Sequence, residues 1–311
     1  MYKKIIILST ISFAILGCNN TPQQPQVKKT PKDINATTTS TMINAGTVYA
    51  EQKDYYLKSC QNGDGQGCRN MATLYLKGLG VKKDANKAFE YVKRGCELNN
   101  ASSCTKLGNI YDDNKMYQKS AEAYMKGCQL NSGVSCNNIG NMYMHGQGVV
   151  KNYALSENFL NKALQLGYNA YNNLGFLYYK KGDDAKAKEY YIKGCDLKGT
   201  VACNNLAMLY SDHKNYFKAY NTFIKSCNLG NAKGCNGASM ILYNKQVSIP
   251  NPQQMMFKLD SNSCEMNNAI GCANLAYDYK KGIGVASDIK KAKVYYKKSC
   301  KLGNSNSCKQ L

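Results

Sequence analysis

The chain has 311 residues, a formal net charge of +21, no tryptophan and a mean hydropathy of -0.49. A chain of this length can bury a sizeable core, and the low mean hydropathy excludes a body embedded in a membrane. Nucleic-acid binding is the first interpretation of such a charge, but only Arg69 and Arg94 are arginines and no nucleic-acid motif is present. We therefore expect no nucleic acid as a partner. The lysines are interpreted as solvating the helix surfaces, with attraction to anionic envelope polymers as the alternative.

Residues 1–17 have the features of a secretory signal peptide. Two lysines precede an apolar run, from Ile5 to Leu16, that is too short to span a bilayer. The stretch that ends in Gly17-Cys18 resembles the bacterial lipobox, in which the cysteine is acylated and becomes the first residue. A plain secretory signal with an incidental cysteine is the alternative. The motif predicts an exported protein, lipid-anchored in the outer membrane and facing the periplasm or the cell surface, with release from the cell as a second outcome.

Residues 18–45 are rich in Thr, Asn, Gln and Pro, which predicts a lipid anchor followed by a flexible tether. The repeats described below occupy residues 46–311. We therefore divide the chain into a signal peptide at 1–17, the anchor and tether at 18–45, and one repeat domain at 46–311.

The cysteines after Cys18 recur with one spacing. The chain has fifteen cysteines, and fourteen of them form pairs separated by eight positions. Because each pair is local and every repeat carries the same two residues, the repeat suggests that each pair forms one disulfide in an oxidising compartment. Zinc binding is the rival interpretation, but it needs four ligands close together and the chain has only two histidines, so we expect no metal. The pairs are Cys60/Cys68, Cys96/Cys104, Cys128/Cys136, Cys195/Cys203, Cys227/Cys235, Cys264/Cys272 and Cys300/Cys308.

The cysteine pairs mark a repeat of two helices. The leading cysteines recur every 32 to 37 residues, and the one longer step divides if Leu164 and Tyr171 take the place of a pair. Three sets of residues recur relative to each cysteine pair: aromatic residues seven positions after the second cysteine, large residues four positions before the first, and small residues eight positions before the first. At these spacings the residues share helix faces. A single helical hairpin cannot bury such faces, whereas a stack of hairpins can.

The pattern L-G-x-x-Y-x-x-G-x-G-V resembles the Sel1-like repeat, a relative of the tetratricopeptide repeat. With the paired cysteines, residues 46–311 resemble the Helicobacter cysteine-rich protein family. The resemblance implies an all-α, right-handed α-solenoid of about seven helix-turn-helix repeats and a terminal half-repeat, with disulfides inside the array. Two departures put its local regularity in doubt: the unit at Leu164 and Tyr171 lacks the cysteines, and the unit around "YNKQVSIPNPQQ" lacks the glycine loop.

The same resemblance raises the question of enzyme activity, because members of this family are commonly described as penicillin-binding proteins or slow β-lactamases. The S-x-x-K motif of serine β-lactamases begins at Ser103, Ser211 and Ser287, which is about as often as chance would place it. Neither S-D-N nor K-T-G accompanies it, and His145 and His213 are expected at a loop and a helix end. The resemblance thus implies β-lactam hydrolysis as an alternative function, while the residues supply no mechanism.

A binding surface is the leading functional hypothesis. Asparagine recurs two residues after the second cysteine, and in tetratricopeptide relatives such residues line a concave groove and hold the backbone of a peptide. The alternative is that each asparagine bonds a loop of the neighbouring repeat, and the tyrosines are interpreted as core wedges. We expect a monomeric scaffold without a cofactor that binds a peptide, a protein or an envelope component such as peptidoglycan, or a β-lactam, and that meets the membrane only through its anchor. The groove residues are Asn70, Asn138, Asn173, Asn205 and Asn274.

Overall fold

The computed structural model describes residues 45–311, and their side chains from residue 49 onward. The signal peptide at 1–17, Cys18 and the tether lie outside these residues. Within the described part of the chain, no helix combines the length and the apolar character that a membrane span requires. The helices are α1 (Ala45–Gln61), α2 (Gly65–Lys77), α3 (Ala85–Glu97), α4 (Ala101–Asp113), α5 (Tyr117–Gln129), α6 (Gly133–His145), α7 (Tyr153–Gln165), α8 (Tyr171–Lys180), α9 (Asp184–Asp196), α10 (Thr200–Asp212), α11 (Tyr216–Asn228), α12 (Ala232–Tyr243), α13 (Pro252–Glu265), α14 (Ala269–Lys281), α15 (Ile289–Lys301) and α16 (Ser305–Cys308).

The helices stack as a solenoid. Each helix packs on the next one along the chain, and the even-numbered helices of consecutive repeats also contact one another, from α2 with α4 to α12 with α14. The even-numbered helices therefore form the closely spaced inner side of the array, which in a repeat protein is the concave side. The all-α solenoid predicted from the sequence is confirmed.

A disulfide joins the last turn of an odd-numbered helix to the first turn of the following even-numbered helix. The structure joins the cysteines in the seven pairs that the repeat suggests, with Cα atoms 4.3 to 4.9 Å apart. Three positions after the first cysteine the backbone is left-handed, which ends the odd-numbered helix. The next residue often caps the following helix, as when Asn100 accepts a hydrogen bond from the Ser103 amide. The left-handed residues are Gly63, Asn99, Asn131, Lys198, Gly230, Asn267 and Gly303, with Gly167 at the same place after Leu164.

The second cysteine of a pair is a core residue. In six of the seven pairs it is 0% exposed, whereas Cys308 at the end of the array is exposed. The sequence spacing predicts that these cysteines are paired, but it does not predict that they are buried. Because thiol exchange requires access to a sulfur atom, the six buried residues serve packing and take no part in a reactive or ligand-binding site. They are Cys68, Cys104, Cys136, Cys203, Cys235 and Cys272.

The residues just before the two cysteines of a pair are small because they touch. A Cβ built on Gly95 would lie 2.5 Å from the Ser103 hydroxyl, and one built on Gly194 would lie 2.8 Å from the Ala202 methyl. Larger side chains at either position would push the two helix ends apart and pull the cysteines out of bonding range. The small residues next to the cysteines thus allow the close approach of the two helix ends that the disulfide needs.

Aromatic residues fill the space between helices. The buried ring of Tyr124 in α5 lies against Gly108 in α4, where an added Cβ would come within 2.5 Å of the ring. A second set of rings stacks between the two helices of one repeat, as Tyr75 does on Tyr91 with centroids 5.6 Å apart. These positions fit the interpretation of the tyrosines as core wedges.

The array continues through both departures from the repeat pattern. In the unit without cysteines, the fully buried Ala163 and Ala170 take the place of the small pair, and α8 is shortened to ten residues. In the unit without the glycine loop, α13 begins at Pro252 after a left-handed Asn251. The irregularity that the sequence led us to expect is therefore limited to a shorter helix and a different loop.

Many lysines have structural partners at the helix ends. Lys126 and Lys298, each in the last turn of an odd-numbered helix, donate to the carbonyls of Glu97 and Cys264 at the end of the preceding odd-numbered helix, at 3.2 and 2.9 Å. A cation at a helix carboxyl end is favourable because it meets unpaired carbonyls and the negative end of the helix dipole. Part of the high positive charge therefore stabilises the stack.

Candidate binding surface on the even-numbered helices

Asparagine side chains join the central repeats along their inner side. The carboxamide of Asn205 in α10 donates to Asn172 in α8 at 2.9 Å, and Asn172 donates to its neighbour Asn173 at 3.2 Å. Asn173 then donates to Asn137 in α6 at 2.6 Å, and Asn137 donates to Asn138 at 3.3 Å. We call these five residues the asparagine ladder. It links three even-numbered helices through side chains alone.

The ladder continues into the aromatic core. Asn138 hydrogen-bonds the hydroxyl of Tyr124, and that hydroxyl donates to the side-chain oxygen of Asn109 in α4 at 2.6 Å. Burial raises the pKa of Tyr124 well above its usual range, so the hydroxyl keeps the proton that it donates. The hydrogen bonds therefore run from α10 to α4 with each group donating to the next. Such chains are strengthened by mutual polarisation.

Two of the predicted groove residues belong to other contacts. Asn70 accepts a hydrogen bond from Gln66 within α2 at 2.9 Å. Asn274 donates at 3.2 Å to Asp260, a fully buried carboxylate in α13 that also accepts from the Ser239 hydroxyl at 2.9 Å. All five predicted residues are half-buried on even-numbered helices, but only three of them lie on one connected network.

The sequence prediction missed two members of the ladder, Asn137 and Asn172. Each lies one position before a predicted residue, and it is this pair that accepts the hydrogen bonds from the next repeat. The signal was present as an asparagine doublet that recurs in three consecutive repeats, at 137–138, 172–173 and 204–205. The partners are helix residues rather than loop groups, so the expected contacts with loops do not form at these positions, whereas ligand binding by the half-buried predicted residues stays a prediction.

An apolar stripe lies beside the ladder. Three positions beyond the ladder residues, which is the same face of a helix, stand Phe176 in α8, Met208 in α10 and, in the next repeat, Met240 in α12, which is 43% exposed. His145 packs against the Phe176 ring with centroids 5.9 Å apart. Desolvation there, with the nearby ammonium group of Lys180, lowers the pKa of His145 below its ordinary value. The inner side thus offers amides next to adaptable apolar side chains.

The ladder leaves hydrogen-bonding capacity for a ligand. A carboxamide has two N–H donors and two acceptor lone pairs, and each ladder contact uses one of them. Asn172, for example, accepts from Asn205 and donates to Asn173, which leaves one N–H and one lone pair. The unused groups of successive repeats match what an extended polypeptide backbone presents, namely alternating donors and acceptors.

The serines of the S-x-x-K motifs have packing or surface positions. Ser103 is buried as the small partner of Gly95 beside a disulfide, and the Ser287 hydroxyl donates to the Lys280 carbonyl. Ser211 is half-buried near the end of α10, and no hydrogen bond joins any of these serines to the lysine of its motif within residues 45–311. Nothing in the described residues favours β-lactam hydrolysis.

The remaining candidates for chemistry are also accounted for. His213 forms an ion pair with Asp184 at 2.9 Å on the surface. The fourteen repeat cysteines are consumed by disulfides, and the described residues contain no cluster of three His, Cys, Asp or Glu side chains suited to a metal ion.

Comparison with known proteins supports this geometry. The Sel1 repeat model matches residues 65–100, 133–168, 200–231 and 269–304. A tetratricopeptide repeat model matches 101–133 and 168–201. The two models together follow the array without a gap from 65 to 231, and they divide it at the turns that lead from an odd-numbered helix to the next even-numbered one.

Individual proteins resemble the chain over different lengths. A protective antigen of uropathogenic Escherichia coli with an SLR fold superposes with a TM-score of 0.66 and 23% identity, covering 85% of this chain and 59% of that one. The Helicobacter pylori cysteine rich protein B is 28% identical, with a TM-score of 0.36, over 42% of this chain and 96% of that one.

Among curated proteins, cytochrome c oxidase assembly factor 7A of Xenopus laevis is 33% identical over 60 residues, which is 19% of this chain. The match spans about a quarter, 26%, of that relative. From the repeats that these models match, the chain belongs to the Sel1 repeat proteins, and it carries seven disulfides at repeat spacing.

Proposed function

We propose that the chain is an exported, lipid-anchored scaffold that binds an extended polypeptide segment along its even-numbered helices. The observation that carries the proposal is the asparagine ladder, which runs beside an apolar stripe on the inner side of the array. Repeats of the Sel1 and tetratricopeptide classes mediate protein–protein contacts. The ligand class that suits this surface is a polypeptide main chain with apolar side chains at intervals.

The ladder favours such a ligand because it is held in place before binding. Its carboxamides are fixed by one another, so a ligand that pairs with their free groups does not have to immobilise them. The thioethers of Met208 and Met240 adapt to side chains of varied shape, which suits a surface that reads the backbone more than the sequence.

Export and anchoring are supported by the cysteines. Seven disulfides suit an oxidising, extracytoplasmic compartment, because thiols stay reduced in the cytosol. Cys18 follows an apolar run and a glycine, as in a lipobox. The Cys18→Ala variant should remain unprocessed and free of lipid, and normal lipid labelling of that variant would contradict the anchor.

Site-specific photocrosslinking tests the binding surface. A photoreactive amino acid replaces Met208 on the inner side or, as the matched control, Ile192 on the outer side of α9, which is 36% exposed. In cells that export the protein, position 208 should yield adducts in which mass spectrometry finds peptides of a second protein, and position 192 should yield few. Adducts of equal abundance at both positions, or adducts at 208 that carry glycan or lipid and no second peptide, would rule out a polypeptide in the groove.

A further inference from the structure

The outward face of α15 is uniformly basic. Lys290, Lys293, Lys297 and Lys301 recur at intervals of three and four residues, so they share one side of the helix, and all four are exposed. Val294 lies on the same side and is 63% exposed. At 1.5 Å per residue, the four lysines extend over about 16 Å. We call these five residues the α15 face.

No other odd-numbered helix is built in this way. At the five equivalent positions, each of α1, α3, α5, α7, α9, α11 and α13 has at most one lysine. Six of those helices carry acidic residues there, whereas the α15 face has none. The acidic residues are Asp54, Glu90, Glu97, Glu122, Glu157, Glu189, Asp196 and Glu265.

The lysines of the α15 face also differ from those that stabilise the stack. Elsewhere on the same helix, Lys298 donates to the Cys264 carbonyl and Lys291 lies 3.9 Å from the Asp288 carboxylate. Within the described residues the four ammonium groups of the α15 face make no ion pair and no hydrogen bond. Like charges three and four residues apart destabilise a helix, so this arrangement weakens the free protein.

We propose that the α15 face binds the surface of a membrane that contains anionic lipids. Flexible, strongly hydrated ammonium groups suit diffuse negative charge, whereas recognition of one carboxylate or phosphate in fixed geometry favours arginine. Val294 and Ile289, which is 53% exposed, flank the lysines and provide aliphatic contact at the headgroup level. Basic helices with exposed aliphatic residues are typical of membrane surfaces. The contact is distinct from the proposed lipid anchor, since it uses the far end of the described chain.

A tryptophan reporter tests the contact in the full chain. Because the protein contains no tryptophan, Val294→Trp introduces a single fluorophore into the α15 face. Asn221→Trp, at the equivalent exposed position in α11, is the matched control. Each protein is reconstituted into vesicles of phosphatidylcholine alone or with one third phosphatidylglycerol. We expect lipid-borne quenchers to reduce the emission at 294 only in the anionic vesicles, and the emission at 221 in neither.

Charge variants show whether the face itself is responsible. Replacing Lys293, Lys297 and Lys301 with Gln should weaken docking on the order of 100-fold and abolish quenching at 294. Replacing the exposed Lys93, Lys188 and Lys258 with Gln removes the same net charge from other outward faces and should change docking less than about twofold. Salt at 0.5 M should also release the face.

Three outcomes would overturn the proposal. They are equal quenching in neutral vesicles, equal loss with both charge variants, and an emission change at 294 with soluble polyphosphate but none with anionic vesicles. The last of these would replace the membrane with a soluble polyanion. None of them bears on binding along the even-numbered helices, so this inference and the proposed function can fail independently.

Discussion

The side chain of Asn173 in α8 donates a hydrogen bond of 2.6 Å to the side chain of Asn137 in α6, and it thereby joins two repeats whose connecting turn, between α7 and α8, has no disulfide. Asn137 is only 5% exposed, so the carboxamide that receives this bond has little access to water. The contact therefore has a structural role whether or not a ligand is bound.

The first prediction concerns Asn137. Its replacement by Ala leaves the donor of Asn173 and the acceptor of Asn138 without their partner, and we expect the free energy of unfolding to fall by about 1–3 kcal/mol. The half-buried Asn141 on the same helix makes no side-chain hydrogen bond within the described residues, and Asn141→Ala should cost less than about 0.5 kcal/mol. Urea denaturation measures both. Equal midpoints for the two variants would show that the ladder does not stabilise the array.

A second prediction tests the packing of Tyr124 on Gly108. An added Cβ at position 108 would lie 2.5 Å from the ring, so Gly108→Ala should destabilise the protein by about 1–3 kcal/mol despite the better helix propensity of Ala. In the α2–α3 repeat, Ala72 and Val92 occupy the two equivalent positions. The double variant Gly108→Ala, Tyr124→Val reproduces that pair, and it should be more stable than the two single effects added together. Simple additivity in a double-mutant cycle would contradict the contact.

A third prediction concerns the oxidation state. Thiol titration of the exported protein, unfolded without a reductant, should find no free thiol from the fourteen repeat cysteines, because all of them are paired. Removing one pair through Cys195→Ser with Cys203→Ser should lower the free energy of unfolding by about 2–3 kcal/mol in the chain-entropy model. Several reactive thiols in the untreated protein would contradict the pairing.

The fourth prediction concerns pH. The environment of His145 lowers the pKa of this side chain in the folded state, so below about pH 6.5 the unfolded state binds the proton more readily. The contribution to stability is therefore fully present above the unfolded pKa, and it is lost as the pH falls through the folded pKa. We expect stability to decrease between pH 7.5 and 5.5, and His145→Gln to decrease less. An identical decrease in the variant would exclude His145 as the cause.

The repeat frame was predictable because it depends on local spacing. Cysteines eight positions apart, glycine or asparagine in the turn and aromatic residues at helical intervals all act within one hairpin or between adjacent helices. The two altered units could also be located in the repeat array, since Leu164 and Tyr171 stand where a cysteine pair would be.

Contacts between non-adjacent helices were harder to predict. The partners of Asn173 and Asn205 lie more than thirty positions away, and the stacking of the repeats decides which neighbouring side chain they meet. Asp260 illustrates the same limit: it occupies the position of the aromatic wedge, yet it is fully buried because Ser239 and Asn274 provide hydrogen bonds from two other helices. The sequence shows that this residue is charged, but it does not show the hydrogen-bond partners that allow its burial.

The disulfides also determine how the molecule responds to tension. Each disulfide closes a loop of eight peptide steps, so it shortens the fully extended chain by roughly 22 Å. The seven together shorten it by on the order of 150 Å. Among the described turns that lead from an odd-numbered helix to the next even-numbered one, only the turn between α7 and α8, with Leu164 and Tyr171, has no such restraint. When the array is pulled along its length, this turn can therefore lengthen without breaking a covalent bond, as the loops between the two helices of each repeat can, whereas the other seven turns of its kind cannot.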